Sequence, residues 1–265
     1  MTEGHLHEEI DRHAHTNPLS KSSPFTKLFF VLSALVICVS LPSPIVPLAV
    51  LSVSAVLILF MARIPISFFV KMLSYPTAML GLSCIIIALF FGDGEALAEV
   101  PLPWFTWTIF KNGVTTGIAT FIRVEGALSC LFFLVLTTPM TNIFVALRRI
   151  RIPAVLVEVS LLIYRYIFVF IEITEKMTTA QELRFGNSSW LTKIRSIGLI
   201  SGNLFIRTME QGERTLTAMN ARGYDGTIRM LEDLPKPSKA ALVATVLFDS
   251  ILLLVSIYSK DLLVV

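Results

Sequence analysis

Long apolar runs, broken by short polar stretches, dominate this chain. A helix that crosses lipid needs about 20 mostly apolar residues. Six runs come close: 25–41, 45–61, 72–91, 113–138, 154–172 and 240–259. Proline and glycine, which helix interiors avoid, mark the breaks. Leu41-Pro42-Ser43-Pro44 ends the first run, Gly92-Asp93-Gly94 the third and Pro139 the fourth. No β pattern of any length is visible.

The loops test that count, because Lys and Arg gather on the cytoplasmic side of short loops. Lys21 and Lys27 lie at the entry to the first run, the turn after it is uncharged, and Arg63 and Lys71 follow the second. Residues 92–111 carry Asp93, Glu95 and Glu99 against Lys111, a net charge of −2; Arg148, Arg149 and Arg151 follow the fourth run. The sides alternate in, out, in, out, in. Residues 140–237 then hold 13 Lys and Arg against 9 Asp and Glu, a net charge of +4. Were 154–172 to cross, most of those cations would be exported. Glu158, Arg165 and Glu172 also recur every seven residues, on one side of a helix, and each charge in a lipid-facing helix centre costs about 2.5–3.5 kcal/mol. The expectation is therefore an all-α membrane protein with about five transmembrane helices and an inserted cytoplasmic domain of long amphipathic helices. Its parts are a polar segment 1–24, transmembrane helices 1–4 within 25–138, the inserted domain 139–237, and the last transmembrane helix with the tail, 238–265.

Composition agrees. Of 265 residues, 54% are apolar and 15% charged, with mean hydropathy +0.75, whereas soluble domains carry roughly 25% charged residues. With a net charge of +3 and no aromatic-rich basic patch, nothing points to nucleic acid. Cys38, Cys84 and Cys130 all lie in apolar runs without metal-ligand spacing and read as small buried hydrophobes. Residues 1–17 are polar and acidic, unlike the basic start of a cleavable signal.

The inserted domain reads as long helices. One spans about 154–185 and ends at Gly186-Asn187-Ser188-Ser189, a C-cap glycine followed by N-cap residues. A second spans about 190–222 and ends at Gly223, with Glu210 and Arg214 at the stabilising i,i+4 spacing. Residues 140–150 form a shorter helix stopped by Pro153.

No catalytic set is visible: there is no P-loop, no His-Glu-x-x-His and no Gly-x-Ser-x-Gly. His5, His7, His13 and His15 sit among acids near the start, either a divalent-metal cluster or a mobile polar tail. Arg123, Glu125 and Asp249 lie inside apolar runs. Arg123 and Asp249 are each about 15 Å from a span end, near the centre of a core about 30 Å thick. Antiparallel neighbours could join them as an intramembrane ion pair, or they could line a transport pathway.

The sharpest local signal is a pair of helix ends, Leu183-Arg184-Phe185 and Ala221-Arg222-Gly223. A C-terminal Arg complements the helix dipole, which accounts for either end alone. Two such ends in one amphipathic domain read as anchors, since guanidinium binds a partner carboxylate bidentately.

Those segments carry a family resemblance. Arg151-Ile152-Pro153-Ala154 through Tyr164-Arg165-Tyr166-Ile167-Phe168, Glu213 through Ala221-Arg222-Gly223-Tyr224-Asp225-Gly226, Thr137-Thr138-Pro139, and Asp11 through Leu19 resemble the transmembrane T component of energy-coupling factor transporters. The cobalt-type CbiQ branch fits best. The resemblance implies a non-catalytic subunit of an ATP-driven cobalt or nickel importer in the plasma membrane. It would be joined to two ATP-binding subunits and to a substrate-binding membrane subunit that carries the metal. It implies no cofactor on this chain, ATP being bound by the partners. It also implies that Arg184 and Arg222, each with its flanking residues, contact one ATPase apiece. The first tip keeps only the Arg of an Ala-Arg-Gly, with Gly186 one place late. The alternatives are a membrane-bound metal-dependent enzyme and a self-sufficient carrier.

Overall fold

The computed structural model describes residues 2–41, 43–92, 96–101, 106–150, 152–186, 188–226, 235 and 237–262. Of the sequence features used above, Pro42, Asp93, Gly94, Glu95, Arg151, Asn187 and the stretch 227–234 lie outside them. The chain is an all-α membrane protein that divides into two compact units, 144–233 and 2–143 with 234–265.

The larger unit opens on α1 (Thr2–Thr16), so the N-terminal segment is helical. Its end is fixed by Asn17, whose Nδ2 donates to the carbonyls of His13, Ala14 and, at 3.1 Å, Leu136. The ring of His13 lies 4.7 Å from that of Phe68. Helix α2 (Pro24–Ser40) carries Pro at its first turn, where the missing N–H is harmless. Helix α3 (Ile45–Val56) runs on through a π-helical turn, Leu57–Met61. Helix α4 (Ile66–Phe90) starts six residues before the expected 72, because Pro65 fixes its entry and Lys71 is carried on the helix. Helix α5 (Lys111–Thr137) and helix α9 (Lys239–Leu262) complete the bundle.

The bundle closes through small residues. A Cβ added to Gly126 on α5 would lie 2.6 Å from the Pro47 carbonyl oxygen, and one on Gly117 would lie 3.0 Å from the Cys84 carbonyl oxygen. Backbones this close are the usual way for helices to associate where no hydrophobic force separates lipid from side chain. Ser54 and Ser129 hydrogen bond at 2.6 Å across α3 and α5, inside a core of Val31, Val46, Val50, Ile58 and Leu136. All three cysteines are free and buried. Leu32, Val36, Phe60, Met79 and Leu254 face outward, as lipid requires.

One element differs from expectation. Within the third loop, β1 (Ala96–Pro101) pairs antiparallel with β2 (Thr106–Phe110), with a bulge between Ala96 and Ala98. Thr106-Trp107-Thr108-Ile109-Phe110 alternates polar and apolar positions in β-branched and aromatic residues, but five residues are too short a window to stand out beside a helix of 27 residues.

The other compact unit contains α7 (Ala154–Leu183) and α8 (Trp190–Ala221); α6 (Met140–Arg149) precedes them. Among the described residues four helices are long and apolar enough to cross a membrane: α4, α5, α9 and also α7; α2 and Ile45–Met61 are shorter apolar helices. Length and hydropathy thus leave α7 eligible, and only its charges set it apart.

Candidate functional site

The two arginine-bearing helix ends have the same backbone. Arg184 caps α7 at φ −93°, ψ 16°, and Arg222 caps α8 at φ −95°, ψ 10°. The next residue is left-handed in each case, Phe185 at φ 60° and Gly223 at φ 77°. Phe185 N–H donates to the Glu182 carbonyl and Gly186 N–H to that of Gln181; Gly223 N–H donates to Asn220 and Tyr224 N–H to Met219. Both ends are therefore full Schellman caps. Gly186 stands one place late for an Ala-Arg-Gly at the first end. Instead Phe185 adopts the left-handed conformation itself, and Gly186 does other work. A Cβ there would come within 2.4 Å of Ser196 Oγ and 2.8 Å of the Gln181 carbonyl oxygen, so Gly186 is what lets the start of α8 close onto the end of α7. Ser189 starts α8 by accepting from the Thr192 N–H at 3.4 Å.

Both arginines are exposed, and neither has an ion-pair partner among the described residues. Leu183, Phe185 and Trp190 are exposed by 78%, 80% and 75%, so the first tip is rimmed by bare apolar side chains, whereas Ala221 and Gly223 leave the second tip slim. With 32 residues, α8 is about 48 Å long, and the two arginines stand at its opposite ends.

Helices α7 and α8 are tied together at three levels. Gln181 Oε1 accepts from Ser196 Oγ at 3.4 Å, Tyr166 shares a hydrogen bond with Thr215, and Tyr224 donates to Glu158 Oε2 at 3.2 Å. Partial burial, and after it the bond to Glu158, pushes the Tyr224 phenol above its ordinary pKa. Between the helices lies an apolar groove of about 480 Å³ lined in part by Leu162, Ile163, Tyr166, Phe170 and Leu216. The Glu158, Arg165, Glu172 stripe is not uniform: Glu158 is buried, Arg165 is exposed, and Glu172 pairs with Lys176 at 2.6 Å. Sequence spacing shows the stripe but not the burial of Glu158, because its partner Tyr224 is 66 residues away.

Among the described residues Arg123 and Asp249 form no salt bridge: Arg123 Nη2 donates to the Leu41 carbonyl at 3.3 Å, and Asp249 Oδ1 is buried without a hydrogen-bond partner. Both α5 and α9 pack against α2. Position along a helix does not specify which helices are neighbours. Glu125 on α5 is buried with Oε1 unpartnered among the described residues. At the N-terminus His15 Nδ1 lies 3.4 Å from Asp11 Oδ1, while the side chains of His5 and His7 are outside the described set. Among the described residues no three His, Cys, Asp or Glu side chains converge on a metal-sized site.

Comparison with known proteins adds to this geometry. The CbiQ family model, described as cobalt transport protein, matches residues 15–232. An uncharacterized protein of Methanocaldococcus jannaschii is 36% identical over 255 residues, 96% of this chain and 95% of that protein. Cobalt transport protein CbiQ of Rhodobacter capsulatus is 29% identical across 68% of this chain and 70% of its own length. Energy-coupling factor transporter transmembrane protein EcfT of Bacillus selenitireducens is 26% identical across 63% and 65% respectively.

Proposed function

Because the chain belongs to the CbiQ family of cobalt transport proteins, we propose that it is the energy-coupling membrane subunit of an ATP-driven cobalt importer. It performs no chemistry itself. Two ATP-binding subunits dock on its arginine-tipped helix ends, and a separate membrane subunit holds the metal.

One observation carries this reading: two exposed, unpaired arginines sit in matching caps at opposite ends of α8. A motor built from two subunits that close on ATP presents two grip points, and an acidic groove on each would take one guanidinium in a bidentate, charge-assisted bond. Closure then moves both ends of α7 and α8, and these helices carry the displacement to the membrane. Leu183 and Phe185 flank the first arginine, Ala221 and Gly223 the second, and these six residues form the ATPase contact. The bare apolar side chains around Arg184 make its contact the broader one.

The transmembrane helices in this reading are α2, Ile45–Met61, α4, α5 and α9, with residues 139–237 on the cytoplasmic side. Charge decides the placement of α7. Glu158, Arg165, Glu172, Glu175 and Lys176 all lie on it, and several such charges outweigh an otherwise apolar sequence. The cargo is cobalt, with nickel the chemically adjacent ion.

Purification of the tagged chain from its native membrane, with identification of the bound proteins and of the metal, tests the assignment. Recovery of two ATP-binding chains and a metal-loaded membrane protein is expected. Cobalt uptake by the chain alone in liposomes, without ATP-binding subunits, would show a self-sufficient carrier and overturn it.

A further inference from the structure

The docking reading leaves one buried group unexplained. Glu158 is 5% exposed, in the first turns of α7, and its Oε1 has no partner among the described residues. A buried carboxylate with too few hydrogen bonds is destabilising, so a structural role alone would favour an apolar residue there. The one bond it makes among the described residues comes from Tyr224. Tyr224 is also the residue whose N–H closes the cap behind Arg222, through the Met219 carbonyl. The same residue therefore ends the arginine tip and reaches across to the opposite helix. The tip needs such a restraint: Gly223 and Gly226 both have positive φ, and an added Cβ on either would meet nothing within 4 Å. Among the described residues nothing fills the space beside those two backbones where a side chain would lie.

We infer that Tyr224 and Glu158 form a mechanical tie that fastens the Arg222 tip of α8 to the root of α7, so that motion of the docked tip is delivered to the N-terminal end of α7 and not absorbed at Gly223. Tyr224 and Glu158 act in this reading as positioning residues. From the root of α7 the load path is aromatic. Tyr164 packs edge-on against Phe144 at 6.3 Å and against Phe168 at 5.3 Å. Phe144 belongs to α6, which is continuous in sequence with the segment leaving α5. The tie rests on the docking of Arg222 set out above, and the experiment separates the two.

The assembled transporter, with its ATP-binding and substrate-binding subunits, is reconstituted in liposomes. ATP hydrolysis and uptake of radiolabelled cobalt are then measured for Tyr224→Phe, Glu158→Gln, Glu158→Leu and the double variant Tyr224→Phe/Glu158→Leu. Arg222→Ala is the control. Tyr224→Phe removes one oxygen and no packing. It should leave subunit recovery and hydrolysis intact while cobalt taken up per ATP falls about tenfold, the scale of one lost hydrogen bond to a charged group. Glu158→Gln keeps an acceptor and should retain most of the uptake. Glu158→Leu should match Tyr224→Phe, and the double variant should be no worse than either. Wild-type uptake in Tyr224→Phe would overturn the tie. So would loss of subunit recovery in step with uptake, since the bond would then merely fold the tip. If Arg222→Ala is also silent in every readout, the docking reading fails as well; if only Arg222→Ala is impaired, docking stands and the tie alone is refuted.

Discussion

The two caps allow a reciprocal exchange whose sign follows from backbone geometry. Phe185 holds φ 60° and Gly223 holds φ 77° in otherwise matching positions. A side chain in the left-handed region costs roughly 1–2 kcal/mol. Placing glycine there removes that strain but loosens the unfolded chain by roughly 0.4–1 kcal/mol. Phe185 is 80% exposed, so removing its ring sacrifices little packing. Phe185→Gly should therefore stabilise the protein by about 0.5–1 kcal/mol, and Gly223→Ala should destabilise it by a similar amount. Nothing lies within 4 Å of an added Cβ at Gly223, so that substitution reports backbone conformation and not a clash. At 2–4 °C per kcal/mol for a chain of this size class, the shifts are about +1 to +4 °C and −1 to −4 °C. Thermal unfolding of the detergent-solubilised protein, followed by tryptophan fluorescence, measures both. A lower Tm for Phe185→Gly, or a higher one for Gly223→Ala, would refute the assignment of both tips as left-handed caps. A more stable Phe185→Gly that docks its ATPase less well would show that the exposed ring serves the partner and not the fold.

Three further outcomes are expected. Gly126→Leu should fail to accumulate as a folded monodisperse protein, because even a Cβ there lies 2.6 Å from the Pro47 carbonyl oxygen; a normal chromatographic profile would contradict the α3–α5 contact. The exchange Arg123→Asp with Asp249→Arg should not rescue either single variant, since Arg123 donates to the Leu41 carbonyl and makes no salt bridge with Asp249 among the described residues; restored expression and uptake would revive the direct pair. Asn17→Ala should cost about 1–3 kcal/mol, the scale of a buried hydrogen-bonding group left unpaired, and should increase protease cleavage within α1; unchanged cleavage would mean that the Asn17 bond to Leu136 does not hold the helix.

The parts of the fold set by local chemistry were legible from the sequence. Apolar runs between Pro and Gly breaks located α2, α5 and α9 closely, and Gly186 and Ser189 marked the junction of α7 and α8. What could not be read depends on contacts between distant residues. The Tyr224–Glu158 bond spans 66 positions, and Asn17 reaches Leu136 across 119. The partner of Arg123 follows from which helices are neighbours, which hydropathy does not encode. The candidate site was half visible. Sequence named both arginine tips, but it took Gly186 for a displaced cap glycine, because only the backbone shows Phe185 in the left-handed position and Ser196 pressed against Gly186.

The central claim is that α8 is gripped at both ends through Arg184 and Arg222. Its most direct measurement is ATP-driven cobalt uptake, with hydrolysis and subunit recovery, by the reconstituted transporter carrying Arg184→Ala, Arg222→Ala or both. Each single variant should impair coupling, Arg222→Ala more severely because the apolar rim remains at the first tip, and the double variant should neither retain both ATP-binding subunits nor take up cobalt. Wild-type uptake in the double variant would contradict the account.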